Sequence, residues 1–158
     1  MNITIIAAYS ENKVIGYENK LPWSITEDLQ RFKAKTLNHT VIMGRKTYES
    51  ILQRLRKPLP QRRNIVLTHN LDFQDDRILI AHSLEQALQL CDIDKENYVI
   101  GGEKIFELFL SVSQKMELTL VNGRYQGDAF FPEVNWNKWN ETTREEKDTH
   151  SYVTFVRK

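Results

Sequence analysis

One carboxylate, Asp28, stands among apolar side chains in a segment that is predicted to be helical. It follows Leu21-Pro22-Trp23-Ser24, and at 3.6 residues per turn it shares a stripe with Leu29, Phe32 and Thr36. An ionised carboxylate is unfavourable inside a protein unless a partner hydrogen-bonds to it, and no cation within one turn serves that purpose. Asp28 is therefore a candidate for binding a polar ligand. The alternative is that it favours the positive end of its helix and faces water.

Two short apolar runs end in glycine and lead into predicted helices. Val41-Ile42-Met43 is followed by Gly44-Arg45-Lys46-Thr47, and Val99-Ile100 is followed by Gly101-Gly102-Glu103-Lys104. Such strand ends expose free backbone amides that bind anions. We call Gly44–Thr47 and Gly101–Lys104 the two glycine starts. Each one alone is more simply explained by a structural need for glycine, but two adjacent glycine starts would form a groove for a dinucleotide. Thr68-His69-Asn70, after a third apolar run, either contacts a phosphate or makes a turn.

The elements that would position these residues alternate between strand and helix. The predicted strands are Ile3–Ala8, Thr40–Met43, Asn64–Thr68, Arg77–Ile80, Tyr98–Ile100 and Met116–Val121, and the predicted helices are Thr26–Thr36, Lys46–Leu55, Leu84–Cys91 and Glu103–Leu110. Ser24 and Glu27 have the spacing of a capping box for the first helix. A last strand, Ser151–Val156, follows the turn-rich stretch Pro132 to Asp148 and favours antiparallel pairing at an edge.

This alternation predicts an α/β fold built as a three-layer sandwich. Its centre would be a mostly parallel sheet of about eight strands with an antiparallel C-terminal edge strand, flanked by about four helices. The 158 residues suit one domain, which we expect to span the whole chain.

Composition argues against several classes of protein. The chain has 22 Lys and Arg against 21 Asp and Glu and no block of like charge, so we expect no nucleic-acid partner. The apolar run Ile3–Ala8 is too short for a signal peptide or a membrane span, which favours a cytoplasmic protein without a membrane partner. Cys91, the one cysteine, recurs at helical spacing and is interpreted as a core residue. No exposed apolar stripe stands out, so we expect a monomer.

Other site chemistries lack support. The four histidines, His39, His69, His82 and His150, are dispersed, so no metal site is predicted. No nucleophile elbow occurs. The acid pairs Asp75-Asp76 and Glu145-Glu146 lie in polar sequence and are interpreted as solvated surface.

The ordered motifs of the chain are similar to those of bacterial dihydrofolate reductases. They are Ile6-Ala7-Ala8, Val14-Ile15-Gly16, Leu21-Pro22-Trp23, Asp28-Leu29 with Phe32-Lys33, Val41 to Ile51, Pro58-Leu59-Pro60, Arg62-Arg63-Asn64, Ile100-Gly101-Gly102 and Gly127-Asp128. The resemblance spans nearly the whole chain. It implies reduction of 7,8-dihydrofolate to tetrahydrofolate in one-carbon metabolism, with hydride passing from NADPH to pterin C6 and a proton to N5, at a site that antifolate inhibitors occupy.

For the substrate, the resemblance implies that Asp28 accepts two parallel hydrogen bonds from the pterin. Trp23 with a nearby water, the hydroxyl of Thr119 and the lid residue Leu21 would assist catalysis. Arg62 would bind the α-carboxylate of the glutamate tail. The other implied substrate contacts are Ile6, Leu29, Phe32, Lys33, Ile51, Leu59 and Ile100.

For the cofactor, the resemblance implies that the two glycine starts bind the pyrophosphate. Arg45, Thr68 and His69 would surround the 2′-phosphate, which favours NADPH over NADH. The loop from Tyr9 to Trp23 would be a mobile lid. The other implied cofactor contacts are Ala8, Ile15, Gly16, Asn19, Lys20, Gly44, Lys46, Thr47, His82, Gly101, Gly102, Glu103, Lys104, Ile105 and Phe106.

Three features depart from the family pattern, and two other functions stay open. The link Leu52–Lys57 is longer than usual, Phe106 replaces a common tyrosine, and Leu21 replaces a common methionine. A pyrimidine reductase of flavin biosynthesis has the same fold and cofactor, although the segment from Pro22 to Asp28 argues against it. A non-catalytic nucleotide-binding module would be favoured if Asp28 faced solvent.

Overall fold

The computed structural model describes residues 1–158 and is organised around an eight-stranded sheet. Its strands are β1 (Asn2–Ser10), β2 (Val14–Gly16), β3 (Thr40–Gly44), β4 (Arg63–Leu67), β5 (Leu79–Ala81), β6 (Glu96–Gly101), β7 (Lys115–Val121), β8 (Ala129–Phe130), β9 (Trp139–Glu146) and β10 (His150–Arg157). Its helices are α1 (Thr26–Thr36), α2 (Arg45–Leu55), α3 (Leu84–Leu90) and α4 (Glu103–Phe109), with one 3₁₀ turn at Trp136–Lys138. Strands β2 and β8 form a separate ribbon.

The large sheet has the order β5-β4-β3-β6-β1-β7-β10-β9. Its first six strands run parallel, and β10 and β9 pair antiparallel at one end. Parallel neighbours need crossover connections. The helices supply them except between β4 and β5, which are joined by residues 68–78 without a helix. The predicted α/β fold, with its mostly parallel sheet and four helices, is confirmed.

The edge of the sheet differs from the prediction. The stretch interpreted as turn-rich contains strand β9, so β10 lies between β7 and β9 and is not the edge strand. Only Trp139 of β9 is buried, and its other side chains face solvent. The strand therefore has no alternation of apolar residues, and it forms through backbone pairing with β10. Glu145 and Glu146 lie on this strand, not in a loop.

Alternating side chains of the central strands build two separate cores, one on each face. Val41 and Met43 pack with Tyr48 and Ile51 of α2, whereas Ile42 packs in a second cluster. That second cluster includes Ala87 of α3 and both Phe106 and Phe109 of α4. Because successive strand residues point to opposite faces, helices on both sides are needed to cover them. This gives the three layers.

Helix α1 has the predicted bounds but not the predicted cap. Ile25 is its N-cap residue and no side chain caps it. Glu27 instead pairs with Lys147 at 3.5 Å and lies 3.8 Å from His150 Nε2, both near the turn between β9 and β10. The predicted capping box was wrong because the helix begins one residue later than the motif requires, with Ile25 and not Ser24 as its N-cap residue. Among the residues of α1, only Thr36 is buried.

The remaining predicted elements are present with small shifts at their ends. Ser83 caps α3 by accepting a hydrogen bond from the Gln86 amide at 3.1 Å. Cys91 is buried directly after α3, and burial raises the pKa of its thiol to about 11, as expected for a core cysteine. None of the four helices has the length and apolar character that a membrane span requires.

Candidate active site

The two glycine starts lie side by side at the carboxyl edge of the sheet. Strands β3 and β6 are hydrogen-bonded neighbours, with Met43 opposite Gly101 in the register. A methyl group added to Gly44 would lie 3.0 Å from Ile105 Cγ1, at the start of the other helix. The backbone at Gly44 therefore lies directly against the start of the other helix. The two glycine starts are therefore adjacent, which is the condition under which they would form a dinucleotide groove.

Glycine is required at position 101 by the backbone. Gly101 has φ +125°, where other residues are strained, and a methyl group there would meet the Phe106 ring at 3.3 Å. The peptide between Gly101 and Gly102 is cis. Thr47 Oγ1 lies 3.7 Å from the methyl position of Gly102. Free amides and a hydroxyl thus converge on one small region, which suits an anion.

Asp28 faces the sheet. Its Oδ1 accepts a hydrogen bond of 2.6 Å from the hydroxyl of Thr119, which is buried on β7. Asp28 is half-buried and not fully enclosed, because neighbouring Leu29 is 46% exposed and leaves the helix face open. The chain donates only this hydrogen bond to the carboxylate, so Oδ2 can accept from a ligand. The interpretation that Asp28 only faces water does not describe this arrangement.

The loop before α1 places a second polar group near the site. The indole Nε1 of Trp23 is buried and has no partner in the chain, and its ring packs edge-on against Tyr125 at 5.3 Å. A buried donor of this kind requires a water or a ligand. Leu21, two residues earlier, is exposed.

Two hydrogen bonds hold the tip of the loop from Tyr9 to Trp23. Ser50 Oγ of α2 donates to the Asn19 carbonyl at 2.8 Å, and the Glu18 amide donates to Asp128 Oδ2 at 3.0 Å. Strand β1 takes up the first residues of this segment and β2 lies in its middle, so it is more ordered than a simple connector.

Arg62 lies in the loop between α2 and β4 with its Nε buried and unpartnered. Burial lowers the pKa of this guanidinium because the charged form loses hydration. Asn64 holds the loop by donating to the carbonyls of Leu59 and Arg62, both at 3.0 Å. An ordered cation with a free donor can bind a carboxylate.

The ends of β4 and β5 bring two of the predicted cofactor contacts, Thr68 and His82, together. His82 Nδ1 bonds the Thr68 carbonyl at 2.8 Å, and Thr68 Oγ1 accepts from the Asn70 amide at 3.1 Å. The segment therefore makes a turn, while His69 stays exposed. Arg45 pairs with Glu49 at 2.7 Å, with its guanidinium 5.2 Å from the Phe73 ring centre.

The structure places the other predicted contacts as follows. Ile6, Ile51, Leu59 and Phe106 are buried; Phe32, Ile100, Ala8, Ile15, Gly16, Gly102 and Ile105 are half-buried; Lys33, Asn19, Lys20, Lys46 and Lys104 are exposed. Glu103 uses Oε1 to accept a hydrogen bond of 2.6 Å from the Phe130 amide, so its carboxylate is engaged within the fold.

The interpretation of Asp75 as solvated surface was wrong. Asp75 accepts a hydrogen bond from the Tyr48 hydroxyl and two from the Arg77 guanidinium, at 2.9 and 2.8 Å. Arg77 is the main reason that the pKa of this carboxyl lies well below its usual range, and Tyr48 adds to the effect. Tyr48 is 27 residues away in the sequence, so no local pattern predicts the contact.

Glu117 is a second acid whose contacts the sequence did not predict. It is buried on β7, two residues before Thr119, and pairs with Arg31 of α1 at 3.2 Å. The available signal was an acid at strand spacing from Thr119 within an otherwise apolar run.

Comparison with known proteins gives a consistent result. The family model for dihydrofolate reductase matches residues 2–157. A dihydrofolate reductase of Staphylococcus haemolyticus is 38% identical over 161 residues, covering 99% of this chain and 95% of the relative. One from Buchnera aphidicola subsp. Acyrthosiphon pisum is 43% identical over 149 residues, covering 94% of this chain and 90% of the relative. The solved structure of Enterococcus faecalis dihydrofolate reductase complexed with NADP(H) and RAB-propyl superposes with a TM-score of 0.89 at 34% identity, covering 99% of this chain and 96% of that one.

Proposed function

Because this chain belongs to the dihydrofolate reductase family, we propose that its pocket at Asp28 binds 7,8-dihydrofolate and that its two glycine starts bind NADPH. The chain is an NADPH-dependent oxidoreductase that produces 5,6,7,8-tetrahydrofolate. The observation that carries the assignment of the site is the Asp28–Thr119 hydrogen bond, which aims a half-buried carboxylate at the sheet with one oxygen free. The family membership does not favour a pyrimidine reductase or a non-catalytic module.

Asp28 supplies the polar recognition of the pterin. Its carboxylate accepts two parallel hydrogen bonds from the ring N–H and the exocyclic amino group, which offset the cost of burial. A neutral imine accepts hydride poorly, and its protonated form accepts hydride well. The negative charge of Asp28 favours protonation at N5. The unpartnered indole N–H of Trp23 holds a water beside this proton path, which fits its buried position.

The glycine starts fit NADPH because the absence of side chains at Gly44, Gly101 and Gly102 leaves the backbone open at two adjacent helix starts, beside the Thr47 hydroxyl. When bound, NADPH supplies the hydride that pterin C6 accepts. Gly44, Gly101 and Gly102 admit the pyrophosphate to the backbone, and Thr47 adds a hydroxyl. Arg45 serves the 2′-phosphate by exchanging its exposed Glu49 partner for the dianion.

Arg62 provides the recognition of the glutamate tail. Its buried Nε has no partner in the chain, and a carboxylate would satisfy that donor. Exposed Leu29 and Leu21 supply apolar surface that a flat heterocycle covers. The loop from Tyr9 to Trp23 closes over the reacting rings and excludes water.

The setting of the enzyme is a further part of the proposal. We infer that residues 1–158 act as a single domain and as a monomer in the cytoplasm, without nucleic-acid or membrane partners. Antifolate inhibitors compete for the pocket because they present the same hydrogen-bond donors to Asp28.

The proposal is tested by the loss of the NADPH absorbance band when dihydrofolate is added to the purified protein. We expect oxidation of NADPH with dihydrofolate, slower oxidation of NADH, and none with the aminopyrimidine of flavin biosynthesis. Oxidation that depends on the aminopyrimidine, or NADPH binding without oxidation by any pterin, would contradict the proposed function.

A further inference from the structure

A buried acid lies beneath α1 and next to the proposed pocket. Glu117 has a side chain that is 6% exposed, and its Oε2 accepts hydrogen bonds from Arg31 at 3.2 Å and from Thr154 Oγ1 at 3.0 Å. Lys35 lies 3.7 Å and Lys115 3.4 Å from the carboxylate. Arg31 is the partner with the shortest contact and the least exposed of the three cations.

Two contacts join α1 to β7 side by side: Arg31 contacts Glu117, and Asp28 contacts Thr119. Arg31 follows Asp28 by one helical turn, and Glu117 precedes Thr119 by two residues, so each pair shares a face of its element. In the sheet register, Ile6 lies opposite Glu117 and Ala8 lies opposite Thr119. Glu117 therefore lies next to the proposed pocket, on the same face of β7 as Thr119 and two residues before it.

The apolar anchor of helix α1 is Phe32, which is half-buried and packs against the core cluster around Tyr48 and Ile51, a cluster that contains no residue of β7. Thr36 is its only buried residue, and Leu29 is exposed. Its attachment to β7 consists of side-chain polar contacts. A helix held in this way depends on those contacts for its height above the sheet, and a small displacement of a reacting group lowers a rate strongly.

We propose that Glu117 and Arg31 form a positioning pair for Asp28. The pair anchors α1 over β7. The negative charge of Glu117 also offsets the positive charge of Arg31 beside the route by which a proton reaches pterin N5. Both residues act through Asp28 and neither contacts the substrate. This inference rests on the proposed function and adds to it a determinant of the pH dependence of hydride transfer.

Several charged and titratable groups share this region and contribute to its field. They are Glu27, Asp28, Arg31 and Lys35 of α1; Lys115 and Glu117 of β7; His150 and Tyr152 of β10; Glu96 and Tyr98 of β6; Glu145 of β9; and Lys147 at the β9–β10 turn. The Arg31 guanidinium lies 4.1 Å from the Tyr152 ring centre, and Tyr152 lies opposite Thr119 in the register. When one charge of the Arg31–Glu117 pair is removed, the other charges stay in place. The sign of the removed charge therefore determines the direction in which the pH midpoint of hydride transfer shifts.

The test measures single-turnover hydride transfer against pH for Glu117→Gln and Arg31→Gln. The midpoint is the pH at which the rate of hydride transfer is half its maximum. Loss of the negative charge in Glu117→Gln disfavours protonation at N5, so the midpoint of this variant should fall by roughly half a pH unit. Loss of the positive charge in Arg31→Gln should raise the midpoint by a similar amount. A purely structural role would move both variants in the same direction. The double variant should return to the parent midpoint.

A second readout concerns the substrate alone. In both single variants the KM for dihydrofolate should rise by roughly 3- to 10-fold, whereas the Kd for NADPH should stay at the parent value. Folding is maintained in Arg31→Gln because Glu117 keeps Lys35, Lys115 and Thr154. The matched control is Glu141→Gln, which breaks an exposed pair with Arg144 on β9 and should change neither quantity.

The outcomes separate this inference from the function on which it rests. The positioning role would be overturned if the midpoints of Glu117→Gln and Arg31→Gln shifted in the same direction, or if both matched the Glu141→Gln control. Turnover of dihydrofolate by the parent protein would then still support the proposed function. Absence of turnover in the parent protein would instead refute the proposed function.

Discussion

The two sides of the proposed site are built in different ways. On the substrate side, α1 buries only Thr36, packs half-buried Phe32 against the core and meets β7 through individual polar side chains such as Asp28. On the cofactor side, α2 buries Tyr48 and Ile51, and α4 buries Phe106 and Phe109, so both helices are fixed by apolar packing. What they present to a ligand is mainly backbone at their glycine starts.

This difference predicts different sensitivities. Recognition by a few side chains is lost when one polar atom is changed, even if the fold is unaffected. Recognition by backbone is insensitive to most side-chain changes, but it is sensitive to a side chain added where the chain has none. The substrate side should therefore respond to conservative polar substitutions and the cofactor side to glycine substitutions.

The largest effect is expected for Asp28→Asn. The asparagine keeps the shape and can still accept the hydrogen bond from Thr119, but it lacks the charge that favours N5 protonation. Turnover at neutral pH should fall by roughly 10²- to 10⁴-fold with NADPH affinity unchanged. Acid should partly restore the rate because solvent can then protonate the substrate. Stopped-flow absorbance of NADPH measures both quantities.

The control for this variant is Glu27→Gln, the neighbouring carboxylate of α1, which is exposed and paired with Lys147. It should keep near-parental turnover. If Asp28→Asn also retains parental turnover, the substrate side does not depend on this side chain and the contrast between the two sides fails.

A smaller effect is expected for Arg62→Leu. The buried guanidinium should contribute a charge-assisted bond to the glutamate tail, so the KM for dihydrofolate should rise roughly 10- to 100-fold, or about 1.4–3 kcal/mol. A pterin substrate without a glutamate tail should be reduced equally by parent and variant. Steady-state kinetics with the two substrates provide the comparison, and an equal loss with both would remove Arg62 from tail recognition.

On the cofactor side, Gly101→Ala and Gly44→Ala form a matched pair. Gly101 has φ +125° and an added methyl group would press on the Phe106 ring, whereas Gly44 has φ −81° and the one tight contact of its added methyl group would be the Ile105 side chain. We expect Gly101→Ala to lose about 1–3 kcal/mol of unfolding free energy and roughly tenfold in NADPH affinity. Gly44→Ala should lose less of both. Calorimetric unfolding and fluorescence titration with NADPH would measure these losses, and equal losses would argue against the backbone explanation.

The smallest effect concerns acid stability through Asp75. The folded pKa of this carboxyl is lowered by Arg77 and Tyr48, so its contribution to stability is present above the unfolded value of 3.8 and is lost as pH falls through the lowered folded value. Asp75→Asn should cost about 1 kcal/mol at neutral pH. The difference from the parent should shrink below about pH 4, as urea unfolding at several pH values would show. A difference that grows in acid would reverse the assigned sign.

Much of the fold and part of the site were predictable from local sequence. The bounds of α1 follow from helical periodicity, and the three strand-to-helix glycines follow from their position after apolar runs. Strand β9 was missed because its side chains after Trp139 are all exposed, so its sequence lacks the alternation of apolar and polar residues that predicts a strand. The roles of Asp75 and Glu117 were missed because their partners Tyr48 and Arg31 are 27 and 86 residues away.

The sequence by itself determined which residues carry the chemistry: a carboxylate on a helix, glycines at two helix starts and a cation before β4. These depend on neighbours within one or two turns, which periodicity records. Only the tertiary structure decided which partner each polar group takes, so that Asp28 bonds Thr119 and Glu27 faces Lys147 instead of capping its helix. Those pairings arise when the sheet closes and distant strands come into register, because a buried polar group must bond to whatever the closed fold places beside it.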